Sequence, residues 1–149
     1  MAINLYTEGV RLPFHGISKK RAGAWAAAVA RELNVENSDI AVILTDNDTM
    51  KAINRKYRGK NRPTDVISFR YADRPLPGME CRDPCAGDIF ISLEMCRERA
   101  VSGKVTAEGE IKRLLVHGML HLAGYDHEGS KMREAAMRKK EGEILAAIS

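Results

Sequence analysis

The chain has 149 residues, of which 44% are hydrophobic and 30% are charged, values that are ordinary for a globular protein. No segment approaches the ~20 apolar residues that a membrane-spanning helix needs, and the N-terminus lacks the basic and apolar regions of a signal peptide. We therefore expect a cytoplasmic protein with no membrane contact, folded as a single domain over residues 1–149. The formal net charge of +4 favours an anionic partner only weakly.

The cysteines do not predict a disulfide framework. Cys81, Cys85 and Cys96 are odd in number and have no C-x-x-C spacing, which suits a reducing compartment. Cys81 and Cys85 lie in a proline-containing loop and could bind a second metal ion. The lack of a matching second pair of ligands disfavours that alternative.

The first third of the chain predicts a strand, a helix and a second strand. Residues 4–6 form a short strand, and Ser18 caps a helix that runs to about Asn34. The apolar stripe of this helix has a period close to 3.6 residues and consists of Ala22, Trp25, Ala26, Val29 and Leu33. Residues 40–44 are a compact apolar run, which is typical of a buried strand.

Asp46 can cap the next helix, whose inner face is predicted to be Met50, Ile53 and Tyr57. Residues 65–69 follow Pro63 and predict a further strand. The strand before this helix and the strand after it are far enough apart for a right-handed parallel crossover.

The second half predicts a loop, one more strand and three helices. Residues 71–87 contain three prolines and no clear period, and residues 88–91 form a short strand. Helices then run from about Leu93 to Ser102, from the cap Thr106 through the histidine motif, and from Ser130 to about Ala147. The sequence therefore predicts an α+β fold, with a small mixed sheet packed against about five helices and the histidine helix at the centre.

Three of the four histidines lie in the motif HGMLHLAGYDH. His117 and His121 are four residues apart and share one face of a helix. Gly124 can end that helix in a left-handed conformation and reverse the chain, which would return His127 to the same point. Three imidazoles around one ion leave a tetrahedral position open, as in catalytic zinc sites. The spacing therefore predicts one divalent metal ion, with zinc favoured.

The same spacing occurs in the zinc-protease motif H-E-x-x-H-x-x-G-x-x-H. Gly118 stands where that motif has its general-base glutamate. A glycine cannot accept a proton from a metal-bound water, so the sequence disfavours a peptidase.

A second constellation is basic. Its members crowd one helix end and the loop that follows: Lys51, Arg55, Lys56, Arg58, Lys60 and Arg62. Cations at a helix C-terminus are stabilising by themselves, so the alternative to a phosphate-binding edge is a solvated helix end. Pro63 keeps Arg62 extended, and Thr64 or Asp65 can hydrogen-bond nearby backbone. A loop of fixed shape could direct Arg58 towards the metal, where a guanidinium stabilises charge on a phosphate.

These motifs resemble the YbeY family of bacterial endoribonucleases. HGMLHLAGYDH is similar to the family signature H-G-x-L-H-L-x-G-Y-D-H, and YRGKNRPTDVISF and AGDIFIS resemble its second and third signatures. The resemblance covers roughly residues 35–130. Two departures are Asn61, where aspartate is common, and Arg70, where proline is frequent.

The resemblance implies an α+β fold with a zinc-protease-like histidine helix and a metal-dependent endoribonuclease acting on single-stranded RNA. It implies a role at the 3′ end of 16S ribosomal RNA and in late ribosome quality control. Small-subunit proteins and a ribosome-assembly GTPase are the implied partners. His117, His121 and His127 match the metal ligands, and Arg58 matches an essential arginine. We thus take Arg58 and His117 as catalytic, and Lys51, Arg55, Arg58, Lys60 and Arg62 as candidate RNA-binding residues.

The sequence leaves the general base and the nucleophile open. Asp126 and Glu128 flank His127 and could orient an imidazole or accept a proton, although turn formation and charge at a helix start are the favoured explanation. Water and the RNA 2′-hydroxyl are both possible nucleophiles. Two other functions remain alternatives: a zinc metallopeptidase, and a non-catalytic ribosome-assembly factor with structural zinc.

Overall fold

A four-stranded mixed sheet organises the part of the chain that the computed structural model describes, which is residues 3–73, 77–78, 82–125 and 129–149. Its strands are β1 (Ile3–Glu8), β2 (Ile40–Thr45), β3 (Val66–Arg70) and β4 (Gly87–Ser92). They lie in the order β1-β2-β4-β3, with β1, β2 and β4 parallel and β3 antiparallel to β4.

Five α-helices and one short 3-10 helix accompany the sheet in the described part of the chain. The α-helices are α1 (Lys19–Glu32), α2 (Asn47–Arg58), α3 (Leu93–Val101), α4 (Ala107–Leu122) and α5 (Lys131–Ile148), and the 3-10 helix is Tyr71–Asp73. None of these helices is both long and apolar enough to cross a bilayer. The predicted α+β class, with a mixed sheet and five helices, is confirmed.

The predicted N-caps Ser18, Asp46 and Thr106 are confirmed, and Ser130, predicted as the start of the last helix, is a cap as well. The side chains of Ser18, Asp46, Thr106 and Ser130 each accept a hydrogen bond from the backbone N–H three residues later. Such a cap satisfies a donor that has no partner within its own helix. Because the caps are local, they could be identified from the sequence without knowing the tertiary structure.

The predicted parallel crossover between β2 and β3 is wrong. The parallel neighbour of β2 is β4, and β3 pairs with the far side of β4 in the opposite direction. The backbone N–H of Tyr71 donates to Ala86 O at 3.0 Å, so the chain after β3 turns back beside itself. Ile89 and Ile91 of β4 are fully buried, which suits the centre of a parallel sheet better than the more polar β3 does.

The histidine helix α4 is the centre of the core. Nine of its residues are buried, and α1, α3, α5 and the sheet all pack against it. Gly118 lies close against β4, where a Cβ on this residue would stand 2.6 Å from Ile89 Cγ2. Only a residue without a side chain fits there unless the helix or the strand moves.

The inner face predicted for α2 is only partly right. Met50 is fully buried and Ile53 is half-buried, but Tyr57 is 41% exposed. The last turn of α2 reaches the edge of the sheet, where the Tyr57 ring meets Phe69 of β3 at 4.9 Å between centroids. The tyrosine therefore packs against β3 while a large part of its surface stays exposed to solvent.

A network of two carboxylates and two guanidiniums joins Asp65, the residue before β3, to α3 and α4. Arg99 donates to Asp65 at 2.8 Å and to Glu110 at 2.9 Å, and Arg113 donates to Glu110 at 3.1 Å. Burial raises the pKa of Glu110 and of Asp65, but the arginines outweigh it and hold both pKa values below their ordinary range. The folded protein therefore favours the ionised network.

We expect Gly118→Ala to lower the free energy of unfolding by about 1–3 kcal/mol, because the new methyl group would overpack Ile89. Urea unfolding followed by circular dichroism measures this change. Gly142→Ala is the matched control, since it lies on an exposed face of α5 with nothing within 4 Å of its Cβ position. That substitution should stabilise the protein by about 0.5–1 kcal/mol. A neutral Gly118→Ala would contradict the close packing.

We expect acid to destabilise the fold through the carboxylate network. Both folded pKa values are lowered, so this stabilisation is complete above the unfolded values of 3.8 and 4.5 and is lost as the pH falls through the folded ones. Glu110→Gln should cost about 3 kcal/mol at pH 7 and flatten the acid limb of a plot of unfolding free energy against pH. Glu134→Gln, half-exposed on α5, should leave that limb unchanged. An acid limb unaltered by Glu110→Gln would rule out the network as its source.

Candidate metal centre and cleft

Two imidazoles converge on the exposed side of α4. His117 and His121 are one turn apart, and their Nε2 atoms stand 3.2 Å from each other. Two ligands at about 2.0–2.1 Å from one tetrahedral ion are about 3.3–3.4 Å apart. The pair therefore has the spacing of two corners of a tetrahedral site, and neutral imidazole nitrogens suit zinc and its neighbours among the transition metals.

A carboxylate from α5 fixes the orientation of the first imidazole. His117 Nδ1–H donates to Glu141 Oε1 at 2.8 Å. This bond places the ring proton on Nδ1 and leaves the Nε2 lone pair directed towards His121. Carboxylate partners of this kind orient metal-binding histidines and raise their basicity.

The third predicted ligand lies outside the described residues. His127 is in the undescribed segment 126–128, as are Asp126 and Glu128, so its role as a ligand stays a prediction. Within the described ranges, no group of three or more His, Cys, Asp or Glu side chains is arranged to hold a metal ion. Gly124 has a φ of +97°, and its N–H bonds to His121 O at 3.1 Å. The helix therefore ends in the left-handed turn that the sequence predicted.

Arg58 and the two histidines line the same cleft. This cavity of about 200 Å³ lies between α4 and β3, and its walls also include Ser68, Arg70 and Asp73. Ser68 Oγ donates to Gly118 O at 3.4 Å, which ties the strand to the histidine helix. The structure thus brings the predicted arginine and two of the predicted histidines to one space.

The loop after α2 is held by a buried amide. Asn54 is 2% exposed, and its Nδ2 donates to Arg62 O at 2.8 Å. Gly59 ends α2 in the left-handed conformation with a φ of +70°, and Asp65 accepts from Val66 N at 2.8 Å. These contacts give the loop a defined shape, which keeps Arg58 at the end of the helix beside the cleft.

The other candidate RNA-binding residues separate into two groups. Lys60 and Arg62 line a neighbouring cavity of about 320 Å³ together with Arg58 and Arg99. Lys51 and Arg55 are exposed on α2 and line neither this cavity nor the histidine cleft. Among these candidates, the residues nearest the histidines are therefore Arg58, Lys60 and Arg62.

Sequence reasoning missed two residues: Glu141, which hydrogen-bonds His117, and Arg70, which lines the cleft. Glu141 lies 24 positions after His117, and nothing in the pattern of α5 separates it from the other acidic residues there. Arg70 stood out only as a departure from the family signature. It lines the histidine cleft and the two adjoining cavities, and it binds Asp73 at 2.9 Å.

Comparison with known proteins identifies the family. Residues 13–149 match the family model described as Endoribonuclease YbeY. This chain belongs to the YbeY family. A YbeY endoribonuclease of Persephonella marina is 39% identical over 132 residues, which cover 89% of this chain and 84% of the relative. The YbeY endoribonuclease of Aquifex aeolicus is 33% identical over 140 residues, which cover 94% of this chain and 90% of the relative.

A solved structure shares the fold of this YbeY-family chain. The solution structure of TM1509 from Thermotoga maritima superposes with a TM-score of 0.65 at 29% identity. The match covers 98% of this chain and 88% of the other. The order of the helices and strands around the histidine motif is therefore a property shared with that protein.

We expect Glu141→Gln to weaken zinc binding by about 10–100-fold, because the neutral amide holds the His117 proton and ring less firmly. Competition with a fluorescent chelator measures the affinity, and circular dichroism checks the fold. Glu143→Gln is the matched control, since Glu143 is an exposed carboxylate on the same helix, 4.0 Å from Lys140. Equal zinc affinities for the two variants would show that Glu141 does not support the metal.

Proposed function

We propose that this chain is a metal-dependent endoribonuclease that cuts single-stranded RNA. The observation that carries the proposal is that His117, His121 and Arg58 line one cleft. The Nε2 atoms of the two histidines are 3.2 Å apart there. The family assignment supports RNA as the substrate. We further propose that the site holds zinc through His117, His121 and His127, and that the protein acts in the cytoplasm.

The chemistry of the cleft follows from its charges. A bound zinc ion would polarise a phosphoryl oxygen or lower the pKa of a water molecule. Arg58 supplies a guanidinium that binds the scissile phosphate and stabilises its developing charge. Glu141 keeps His117 in the tautomer whose Nε2 faces the cleft. Positioning and charge stabilisation are therefore the contributions of the protein itself.

Ribosomal RNA is the substrate that the family resemblance favours. We propose the 3′ end of 16S RNA as the cleavage region, with a further part in late quality control of ribosomes. Small-subunit proteins and a ribosome-assembly GTPase are the proposed partners. Mapping ribosomal RNA ends in cells that lack the protein tests this assignment, since unprocessed 16S 3′ ends should accumulate.

Two other functions compete, and the structure bears on one of them. A zinc metallopeptidase needs a general base at position 118, where the 2.6 Å approach to Ile89 leaves no room for a glutamate. A non-catalytic assembly factor would use its zinc only to hold the fold. Incubation with unstructured RNA and with casein, each with and without chelator, separates the three. Chelator-sensitive cleavage of RNA alone is expected, and cleavage of casein alone would overturn the proposal.

We expect Arg58→Ala to reduce RNA cleavage by about 10²–10³-fold, because one preorganised cation at the phosphate is lost. The zinc content of the variant should equal that of the wild type. Lys104→Ala removes the same charge from an exposed loop and should retain cleavage within about threefold. Single-turnover rates on a labelled single-stranded RNA measure the effect. Full activity of Arg58→Ala would remove the role assigned to this residue.

A further inference from the structure

The face of the sheet opposite α4 carries a cluster of aromatic rings near β3. Side chains alternate along a strand, so Phe69 and Phe90 lie on the face opposite Ser68 and Ile89, which both contact Gly118. The Phe69 ring is 4.9 Å from Tyr57 and 6.1 Å from Phe90 between centroids.

Two tyrosines beside these phenylalanines are largely exposed. Tyr57 is 41% exposed and Tyr71 is 44% exposed, although both border the same cavity as Phe69 and Phe90. The cavity has a volume of about 470 Å³, within the range of about 300–1,000 Å³ that is usual for sites of small ligands. We call this space the aromatic pocket.

The aromatic pocket is continuous with the histidine cleft. Both spaces are lined by Arg58, Ser68, Arg70 and Asp73, so they meet across β3. This strand is the edge of the described sheet, and no other described strand covers its outer side. A flexible chain lying in the histidine cleft can therefore pass over β3 into the pocket.

The charges distinguish what each space can hold. Arg58, Arg70 and Asp73 lie where the two spaces meet, and Asp73 pairs with Arg70 at 2.9 Å. The two guanidiniums outnumber this one carboxylate, so the junction suits a phosphate. Inside the pocket, Asp88 accepts a hydrogen bond from the Tyr71 hydroxyl, and this carboxylate would repel a phosphate. Aromatic walls with a hydrogen-bond acceptor suit a nucleobase, since every base has a face that stacks on aromatic rings and single-stranded RNA exposes its bases.

We propose that the aromatic pocket binds one base of the RNA substrate, next to the phosphate held by Arg58 and Arg70. The inference rests on the proposed function and adds a base-binding subsite to it. Tyr57 borders this subsite at the end of α2, where Lys56 Nζ lies 5.2 Å from its ring and adds a cation close to the strand. The pocket would contribute mainly to binding, because its rings lie on the far side of β3 from the histidines.

The test compares Tyr57→Leu with Tyr57→Phe in the full-length protein. Tyr57→Leu removes the aromatic ring, and Tyr57→Phe keeps it without the hydroxyl. The probe is a short fluorescent single-stranded RNA, with binding measured by anisotropy in chelator and cleavage measured with zinc. We expect Tyr57→Leu to raise Kd and KM about tenfold, with kcat within about twofold of the wild type. Tyr57→Phe should behave like the wild type.

A scan with abasic nucleotides locates the base. Removing one base near the cleavage site should weaken wild-type binding about tenfold and leave Tyr57→Leu binding unchanged, because the two changes remove the same contact. Tyr6→Leu is the control, since Tyr6 is 52% exposed on β1 and does not line the pocket. It should bind RNA normally.

Different results would overturn different statements. Unchanged RNA binding by Tyr57→Leu, an equal loss in Tyr6→Leu, or a scan with no sensitive position would overturn the aromatic subsite while leaving the nuclease intact. If Tyr57→Leu instead lost only the association with a ribosomal protein, the pocket would be a protein-docking site and the inference would be wrong. RNA binding that depends on Tyr57, without any cleavage, would overturn the proposed function alone.

Discussion

The contact between Gly118 and Ile89 is the constraint on which the site depends. It lets α4 lie directly on β4, with a would-be Cβ only 2.6 Å from the isoleucine methyl group. The neighbouring His117 then lies between α5, where it bonds to Glu141, and the edge strand β3, whose residues line the same cleft. The same glycine gives the helix its position and excludes a glutamate from the place that a zinc peptidase would need. One packing requirement therefore determines both the geometry of the histidines and the chemistry that is absent beside them.

The groups that surround or support the histidines come from distant parts of the chain. Glu141 comes from α5, Arg58 from the end of α2, and Arg70 from β3. Each is supported by a contact of its own: Glu141 by His117, Arg70 by Asp73, and the loop after Arg58 by Asn54. Such support holds the groups near their working positions before substrate arrives, and preorganisation of this kind is the main source of electrostatic catalysis.

Local signals explain what the sequence could predict. The capping residues, the buried run of β2, the left-handed Gly124 and the helical spacing of His117 and His121 depend only on nearby residues, and the structure confirms them. The direction of β3 failed because it depends on which strand occupies the centre of the sheet. The burial predicted for Tyr57 was wrong, and the pairing of Glu141 with His117 was not foreseen, because both depend on contacts between distant elements.

Because β3 is pleated, this short strand lines both the histidine cleft and the aromatic pocket. Ser68 and Arg70 point to the histidine side, and the intervening Phe69 points to the aromatic side. Because alternate residues face opposite ways, inserting or deleting one residue would exchange the two sets. A guanidinium would then enter the ring cluster, and a phenyl group would replace a cation beside the imidazoles. The length of β3 is therefore as important to the site as the identity of its residues.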